Sequence, residues 1–487
     1  MELSNKKVDI THWLFFIILI FCMKFLIFCI DPLPMFFLGD SHSYITTSLT
    51  GWIPPDRSFM YGFIIKLVAV AAHSLTSLLI LQIFTSGVNA IAIAYILQKF
   101  FSVNSKLAFF CGLLCAIEPL QLMYERYIMT EALSLFLFVI FFVAILHYLK
   151  NPRLIFLVLI ALVGTALISF RLSYLPIVLL NAILLPLLIL PSLSQKYSIK
   201  LRPIKNLFQQ VNALRPILGT VILHIIVSIG LTYTLHYGYK SLNGNLSDRP
   251  PAYQYQDGIF LLTYVGPVVE PIDFPQPDLR DIVFKDLKYN LKERLQRAGN
   301  HWQPGGLISN LNRAIPDIVE ANYLAKETAF NALKRNPIGV VKLTVLGFLD
   351  YWNIDLLRAC MSNDRGDRPL PEDMLKLLRD RFKLWADDLP FLKTFTNKYF
   401  FKAQVWYLFL LCLPIICILT FFVYDREKRH LILIIFIASF TIVSISSLLI
   451  EGPTVRYLHP LGWLSFLVIG SLIDQILNRL KLNSRKI

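Results

Sequence analysis

Charged side chains are scarce in this sequence. Only 16% of its 487 residues are Asp, Glu, Lys or Arg, whereas 56% are hydrophobic and the mean hydropathy is +0.58. Soluble globular proteins carry about 25% charged residues, so this composition excludes an ordinary soluble domain. It predicts an integral, multi-pass membrane protein.

Cysteine motifs and repeats are absent as well. Six of the seven cysteines lie in apolar segments, and no Cys-x-x-Cys pair with zinc-ligand spacing occurs. We therefore expect neither a disulfide framework nor a zinc-binding motif. The sequence shows no internal repeat, which disfavours a transporter built from inverted repeats.

The positive charge is dispersed rather than gathered into one domain. The net charge is +15, but the basic residues form short clusters between apolar runs. Nucleic-acid-binding proteins concentrate this charge on one face or in one domain, so we expect no nucleic-acid partner. Basic clusters between apolar runs are typical of cytoplasmic loops in membrane proteins, and the predicted partners therefore include membrane lipids.

Ten apolar segments are predicted to cross the membrane, and an interfacial helix is predicted from about residue 61. With this number of spans, both termini and the acid-poor basic loops lie in the cytoplasm, and we expect the plasma (inner) membrane. The first segment is too long for a signal peptide and is interpreted as a retained span. The predicted spans are 13–30, 78–97, 107–123, 129–148, 154–170, 174–190, 217–237, 403–424, 431–450 and a tenth after Pro460.

The fold class predicted from this pattern is an all-α polytopic membrane protein with one mixed extracytoplasmic domain. Residues 1–238 form an N-terminal transmembrane module whose first outer loop is 31–61. Residues 239–402 form the extracytoplasmic domain, and 403–487 supply the C-terminal transmembrane helices. The apolar stretch 338–349 is a helix that lies on the membrane or is buried in this domain, and a further span is the alternative.

The first outer loop carries the most concentrated set of polar candidates. Asp40 follows the first span, where a partly desolvated carboxylate can act as a general base, although capping of the next helix is the alternative. His42 could orient that acid, ligate a metal or bind substrate, or be an ordinary loop residue. Arg57 follows Asp56, and a local ion pair is favoured over substrate contact. Tyr61 is an interfacial anchor or part of a sugar platform.

A second acidic motif, YERYIMTEAL, begins at Tyr124. Glu131 falls inside the apolar pattern of the fourth span and is therefore expected to point into the helix bundle, where it would pair with Asp40. Charge compensation at a helix N-terminus is its alternative role. Glu125 and Arg126 are candidates for substrate contact. Lys24, inside the first span, is expected to face a wet cavity or to snorkel.

Basic residues for phosphate binding are predicted at the same outer boundary. Arg171 occupies a tight turn between two apolar helices, and Arg456 precedes Tyr457 and His459 in a late loop. A guanidinium group binds phosphate oxygens through paired hydrogen bonds. Interfacial snorkelling is the alternative, and it fits Arg171 poorly because its turn is short.

These motifs together resemble the GT-C superfamily of lipid-linked sugar glycosyltransferases, close to the protein-mannosyltransferase and aminoarabinose-transferase-like group. The first outer loop GDSHSYITTSLTG, with DRSFMYG after it, looks like the first loop of that group. YERYIMTEALSLFLF is similar to its second acidic motif, and RYLHP to a late Arg-Tyr loop. Two positions differ from the family pattern: Ser41 replaces a second acid and Gly62 replaces a proline.

The resemblance implies a hexosyl or pentosyl transferase of the cell envelope that uses a polyprenyl-phosphate sugar donor and inverts the anomeric carbon. It implies that Asp40 is the base, that Glu131 is the second acid, and that Arg171 and Arg456 hold the lipid phosphate. The acceptor could be a lipid, a glycan or a protein, and Ser41 leaves open whether a divalent metal binds. The alternative from another class is a transporter or flippase of lipid-linked sugars.

Overall fold

A computed structural model describes eight stretches of the chain and shows that they are helical. Apart from an isolated bridge between Met35 and Tyr127, regular secondary structure within these stretches is helix, which confirms the predicted all-α character. The predicted cytoplasmic residues 1–9 and much of the basic segment 195–215 lie outside the described residues. Those are 10–37, 39–189, 207–295, 297–364, 370–386, 394–424, 428–448 and 452–484.

The described residues up to 247 form mainly apolar helices. A π-helical segment, Lys66–Val70, continues α3, and the 3₁₀ turn Leu172–Tyr174 precedes α9. The helices are α1 (Ile10–Ile30), α2 (Asp40–Thr50), α3 (Met60–Ile65), α4 (Leu75–Lys99), α5 (Ser105–Ala116), α6 (Pro119–Tyr124), α7 (Glu131–Lys150), α8 (Leu154–Phe170), α9 (Leu175–Leu188) and α10 (Leu207–Ser247).

The described residues after 247 form shorter helices and then return to long apolar ones. The 3₁₀ turn Val455–Leu458 leads into the last helix. The helices are α11 (Asp257–Val265), α12 (Pro277–Lys285), α13 (Arg297–Trp302), α14 (Leu307–Ala314), α15 (Ile318–Arg335), α16 (Pro337–Asp350), α17 (Ile354–Asp364), α18 (Glu372–Phe382), α19 (Phe395–Lys402), α20 (Gln404–Leu411), α21 (Leu413–Val423), α22 (Arg429–Leu448) and α23 (His459–Ser484).

Six helices in the described residues are long and apolar enough to cross a membrane. They are α1, α4, α7, the Ile217–Ser247 part of α10, α22, and the Val455–Lys481 segment that includes most of α23. A seventh span is present if α20 and α21, which meet at an angle of 54°, cross together. The chain thus has the helices of a multi-pass membrane protein, as the sequence predicts.

The predicted count of ten spans is not confirmed. Glu118 and Pro119 divide the predicted span 107–123 into the separate helices α5 and α6, because proline ends a helix but can begin the next one. Helices α8 and α9 have 17 and 14 residues, fewer than the roughly 20 that a perpendicular span needs. The number of crossings therefore stays a prediction.

Segment 118–135 lies at the centre of the described fold and positions the functional groups. Each of its residues is buried, although it includes four charged side chains. It runs beside the first outer loop, because the Met35 amide donates to the Arg126 carbonyl at 2.8 Å and the Ile128 amide to the Met35 carbonyl at 2.9 Å. The Ser41 hydroxyl donates to the Ile128 carbonyl at 3.0 Å. These contacts place the first turn of α2 beside the first turn of α7.

Region 239–402, predicted to be a mixed extracytoplasmic domain and called the outer region below, is helical in its described part, and its side of the membrane stays a prediction. Helices α11 and α15 pack against each other around a small apolar core that includes Ile259 and Leu324. Helix α16 contains the apolar stretch 338–349 and packs closely on α22, where a Cβ at Gly347 would lie 2.1 Å from the Ser447 carbonyl oxygen. Its 14 residues extend about 21 Å, short of a ~30 Å hydrocarbon core.

Candidate functional site

Five charged side chains from separate parts of the chain meet at one end of the helix bundle. Asp40 begins α2, Arg57 lies in the following loop, Glu131 begins α7, Arg171 follows α8, and Arg456 lies in the turn before α23. We call these five residues the cavity cluster. Each was a candidate from the sequence, and the structure brings all five together.

Arg456 bridges the two acids of the cavity cluster. Its Nη1 lies 2.8 Å from Asp40 Oδ2, and its Nε contacts Glu131 Oε1. Arg57 Nη1 lies 2.6 Å from the other Asp40 oxygen, and Arg171 Nη1 lies 3.4 Å from Glu131 Oε1. Paired hydrogen bonds of this kind fix the orientation of both guanidinium and carboxylate groups.

The surroundings of Asp40 keep its carboxyl group ionised. Burial alone would raise the pKa, but the guanidinium groups of Arg456 and Arg57 outweigh that effect and hold the pKa of Asp40 below its ordinary value. The preceding Gly39 has φ +79°, a backbone conformation that glycine adopts without strain. Nearby, burial raises the pKa of Tyr44 to about 12, and its ring lies 5.4 Å from the Arg57 guanidinium.

The cavity cluster lies at one side of a cavity of about 730 Å³. Asp40, Arg57, Arg171 and Arg456 line this cavity, whereas Glu131 is fully buried behind them. The ends of α8, α9 and α22 form an apolar side that includes Ile168, Phe170, Leu172, Ile445 and Leu448. A third side consists of aromatic and polar residues from the end of α10 and from the chain that follows it: Tyr239, Tyr253, Gln254, Asp257, Phe260, Tyr264 and Lys326.

Three atoms of the cavity cluster have unused hydrogen-bonding capacity. Arg57 Nε, Arg171 Nη2 and Glu131 Oε2 are buried and have no hydrogen-bond partner among the described residues. Buried polar atoms are normally paired with protein or water, so these atoms are available to a ligand or to ordered water. The Arg171 guanidinium also lies 4.8 Å from the Tyr457 ring, which holds it against the cavity wall.

Glu125 and Arg126 point away from the cavity into a second set of ion pairs. Lys24 Nζ lies 2.6 Å from Glu125 Oε2, and Arg126 Nη1 lies 2.7 Å from Glu125 Oε1. Arg126 Nε also donates to the Asp31 carbonyl at 2.9 Å, and the Thr396 hydroxyl contacts the Asp31 carboxylate. We call Lys24, Asp31, Glu125 and Arg126 the closed cluster, because their side chains are at most 1% exposed.

The remaining candidates from the sequence divide between the cavity and its surroundings. Tyr457 lines the cavity. Tyr61 is buried and donates to Gln82 Oε1 at 2.7 Å, and His459 is buried against the Tyr124 ring, 5.0 Å between centroids. His42 is 35% exposed and lies 3.5 Å from Asp373. Neither Tyr61, His42 nor His459 lines the cavity.

Gly62, which stands where the family that the sequence resembles has proline, has a packing role. A Cβ at this position would lie 2.5 Å from Cγ2 of Thr47, so the absence of a side chain lets α3 pack directly on α2. This contact holds the end of the first outer loop close to its beginning.

Sequence reasoning did not find the aromatic and polar side of the cavity. Its residues come mostly from 239–264, inside a region with no recognisable motif. The sequence AYQYQDG, which begins at Ala252, was the available signal, because it places aromatic and amide side chains next to an acid.

The described residues contain no group of three or more His, Cys, Asp or Glu side chains that could hold a metal ion. Comparisons with protein-family models, with curated proteins and with solved structures found no match for this chain. The cavity and its charges therefore carry the functional argument.

Proposed function

We propose that this protein is an integral membrane glycosyltransferase of the GT-C type. In this proposal it moves a sugar from a polyprenyl-phosphate-linked donor to an acceptor hydroxyl at the extracytoplasmic face, with inversion. One observation carries the proposal: a single cavity joins Asp40 and three guanidinium groups, with Glu131 buried behind them, to an apolar side formed by the ends of predicted membrane helices. Lipid-linked sugars carry the groups that such a cavity would bind, namely an apolar chain, a phosphate and a polar head.

The donor phosphate is assigned to Arg171 and Arg456. Arg171 Nη2 has no described partner, so it can donate to a phosphate oxygen without losing an existing hydrogen bond. Arg456 is held by both acids and can turn one N–H toward the same phosphate. Two guanidinium groups also stabilise the negative charge that builds on the phosphate as it leaves.

The polyprenyl chain is assigned to the apolar side of the cavity. Phe170 and Leu172 lie directly before and after Arg171 in the chain, and Ile168 lies three residues before it. Ile445 and Leu448 belong to the end of α22. A chain bound here would leave the cavity toward the lipid phase while its phosphate stays beside Arg171. The apolar surface thus aligns the donor by the hydrophobic effect.

Asp40 is assigned as the base. The acceptor oxygen attacks the anomeric carbon, the bond from that carbon to the phosphate oxygen breaks, and the acceptor proton passes to Asp40. The two neighbouring guanidinium groups keep Asp40 ionised but also make it a weaker base. When the donor phosphate draws Arg456 away, the basicity of Asp40 rises at the moment when the base is needed.

The test is sugar transfer by the purified protein with labelled polyprenyl-phosphate sugars and a membrane extract as acceptor. Asp40→Asn should lower transfer by about 10²–10⁴-fold, because it removes the proton acceptor. Asp56→Asn is the matched control: Asp56 also lines the cavity and lies 2.8 Å from Arg57, but it has no contact with Arg456. Full transfer by a folded Asp40→Asn protein, or equal losses in both variants, would contradict the proposal.

A flippase of lipid-linked sugars is the second candidate, and the bend between α20 and α21 favours it, since transporters often contain broken helices. However, residues 404–423 do not line the cavity. Reconstitution of the protein into vesicles separates the candidates: movement of a labelled lipid-linked sugar between leaflets, without transfer to any acceptor, would favour the flippase.

A further inference from the structure

The part of the cavity lining that comes from residues 239–264 has a distinct composition. Tyr239, Tyr253, Phe260 and Tyr264 line it, and we call these four residues the aromatic wall. Tyr239 stacks on Tyr253 with 6.1 Å between ring centroids, and Phe260 stacks on Tyr264 at 6.4 Å. The wall therefore consists of two stacked pairs of rings next to the proposed reaction site.

Hydrogen bonds to neighbouring residues hold the first stacked pair in place. The Tyr239 hydroxyl donates to Ser58 Oγ at 2.9 Å, and the Tyr253 hydroxyl pairs with His236 Nδ1 at 2.7 Å. The Tyr255 amide donates to the Pro55 carbonyl at 2.6 Å, which joins this wall to the first outer loop. Phe59 stacks on Tyr239 at 6.3 Å, and Lys240 Nζ lies 4.3 Å from the Tyr253 ring centroid. Because the protein engages both hydroxyl groups and these ring faces, a ligand meets the remaining apolar surface of the rings.

Polar side chains stand between the rings. Asp257 accepts from Asn322 at 2.8 Å and pairs with Lys326 at 2.7 Å, and both Asp257 and Lys326 line the cavity. Each carboxylate oxygen retains a lone pair for a further hydroxyl donor. Gln254 also lines the cavity, and its amide has no hydrogen-bond partner among the described residues.

We propose that the aromatic wall, with Gln254, Asp257 and Lys326, is the binding site for a carbohydrate acceptor. Sugar rings present apolar C–H faces and a rim of hydroxyl groups, so they match aromatic surfaces with amide, carboxylate and ammonium groups between them. This inference rests on the proposed function and narrows its acceptor from a lipid, a glycan or a protein to a glycan.

The other two acceptor classes fit this side of the cavity less well. An acyl chain gains nothing from Asp257, Lys326 and Gln254 and would lose the hydration of those groups. A peptide in extended form is usually held by backbone hydrogen bonds along an open strand edge, and the described part of the chain has no strand. Isolated polar side chains between aromatic rings are better matched to the hydroxyl groups of a sugar.

The experiment measures oligosaccharide binding to the full-length protein in detergent by saturation-transfer NMR. The probes are tetrasaccharides of hexose and of N-acetylhexosamine, with a serine- and threonine-containing peptide as competitor. We expect a tetrasaccharide to bind, the peptide not to displace it, and Phe260→Ala and Tyr264→Ala each to weaken binding roughly three- to tenfold. Tyr233→Ala is the matched control, because this exposed tyrosine of α10 does not line the cavity.

A second variant avoids the packing cost of removing a ring. Gln254→Met keeps the side-chain volume and removes hydrogen-bonding groups that no described residue uses, so the fold should be retained while tetrasaccharide binding weakens several-fold. Unchanged binding in Gln254→Met and in both ring variants, no tetrasaccharide binding by the parent, or displacement by the peptide would overturn the inference.

Polyprenyl phosphate binding to the same proteins separates this inference from the proposed function. We expect the aromatic-wall variants to bind polyprenyl phosphate as the parent does. If the aromatic-wall variants bind both polyprenyl phosphate and the tetrasaccharide as the parent does, the proposed glycan site is wrong and the proposed donor site stands. If no protein binds polyprenyl phosphate, the proposed function itself is wrong.

Discussion

The cavity cluster and the closed cluster are built from the same kinds of residue and differ in access. Glu125 and Arg126 of the closed cluster lie only a few residues before Glu131 of the cavity cluster, within one motif. In each cluster a basic side chain and a carboxylate from distant parts of the chain form a short ion pair. Both clusters also contain buried polar atoms without a described partner. Unpaired atoms alone therefore do not mark a functional site.

What separates the two clusters is the cavity. Asp40, Arg57 and Arg456 are 15–18% exposed and line it, whereas the side chains of the closed cluster are at most 1% exposed. The closed cluster joins α1, the first outer loop, segment 118–135 and α19. We therefore interpret it as a structural clamp that places Glu131, and the cavity cluster as the part that meets substrate. The predictions below test this distinction.

The largest expected difference is between Glu131→Gln and Glu125→Gln. Glu131→Gln removes the acid that orients Arg456 and Arg171, so we expect transfer per folded molecule to fall by about 10²–10³-fold. Glu125→Gln leaves Lys24 as a buried charge without its partner, so we expect a loss of about 3–5 kcal/mol in the free energy of unfolding. Transfer by the fraction of Glu125→Gln that folds should stay within about threefold of the parent.

The measurement for this pair is transfer normalised to the monodisperse protein, together with thermal unfolding in the same detergent. Equal losses of transfer in both variants, after normalisation, would show that the two clusters act as one unit and would remove the distinction between clamp and site.

The next effect concerns the phosphate ligand. Arg171→Lys keeps the positive charge but loses the planar group that contacts Glu131, the Tyr457 ring and the proposed phosphate. We expect the affinity for polyprenyl phosphate to fall about 10–100-fold, which corresponds to roughly 1.4–2.8 kcal/mol. The counterpart in the closed cluster, Arg126→Lys, should destabilise the protein and leave this affinity unchanged. The opposite pattern would place the phosphate at the closed cluster.

Much of the cavity cluster could be predicted from the sequence because charge inside an apolar pattern is informative. Asp40, Glu131, Arg171 and Arg456 stand out at the ends of apolar runs, where a membrane protein must compensate each charge. The same reasoning also selected Glu125 and Arg126, since sequence spacing does not reveal which side chain reaches a cavity. In the structure, the irregular segment between α6 and α7 turns these two residues toward Lys24 and Asp31.

The rest of the fold and site depended on contacts that sequence patterns do not encode. The predicted span 107–123 was wrong as one helix because Pro119 begins a separate helix, and the Glu118 side chain caps it. The aromatic wall comes from the end of α10, from α11 and from the segment between them, which carry no pattern distinguishing a cavity wall from an ordinary domain core. Only the packing of the outer region over the membrane helices reveals it.

A smaller effect is expected from the titration of Asp40. The pKa of Asp40 is lowered in the folded protein, so its ionised carboxylate stabilises the folded state. This stabilisation is fully present above the pKa of about 3.9 for an unfolded aspartate. It is lost as the pH falls through the pKa of the folded protein. The difference in unfolding temperature between the parent and Asp40→Asn should be constant from neutral pH to about pH 5 and should narrow below about pH 4. A difference that widens with acidification would mean that the guanidinium groups do not stabilise the carboxylate.

The smallest effect is expected at His42, which lies on α2 close to Asp40 but outside the cavity. Its ring is 35% exposed and its partner Asp373, 3.5 Å away, is 65% exposed, so their interaction should contribute at most about 1 kcal/mol. His42→Gln should therefore leave transfer within about twofold of the parent and shift the unfolding temperature little. Sugar transfer and thermal unfolding of His42→Gln, measured beside those of Asp40→Asn, show how far the site extends along α2. A tenfold loss of transfer would extend the cavity cluster to the outer face of α2 and make α18, which carries Asp373, part of the substrate site.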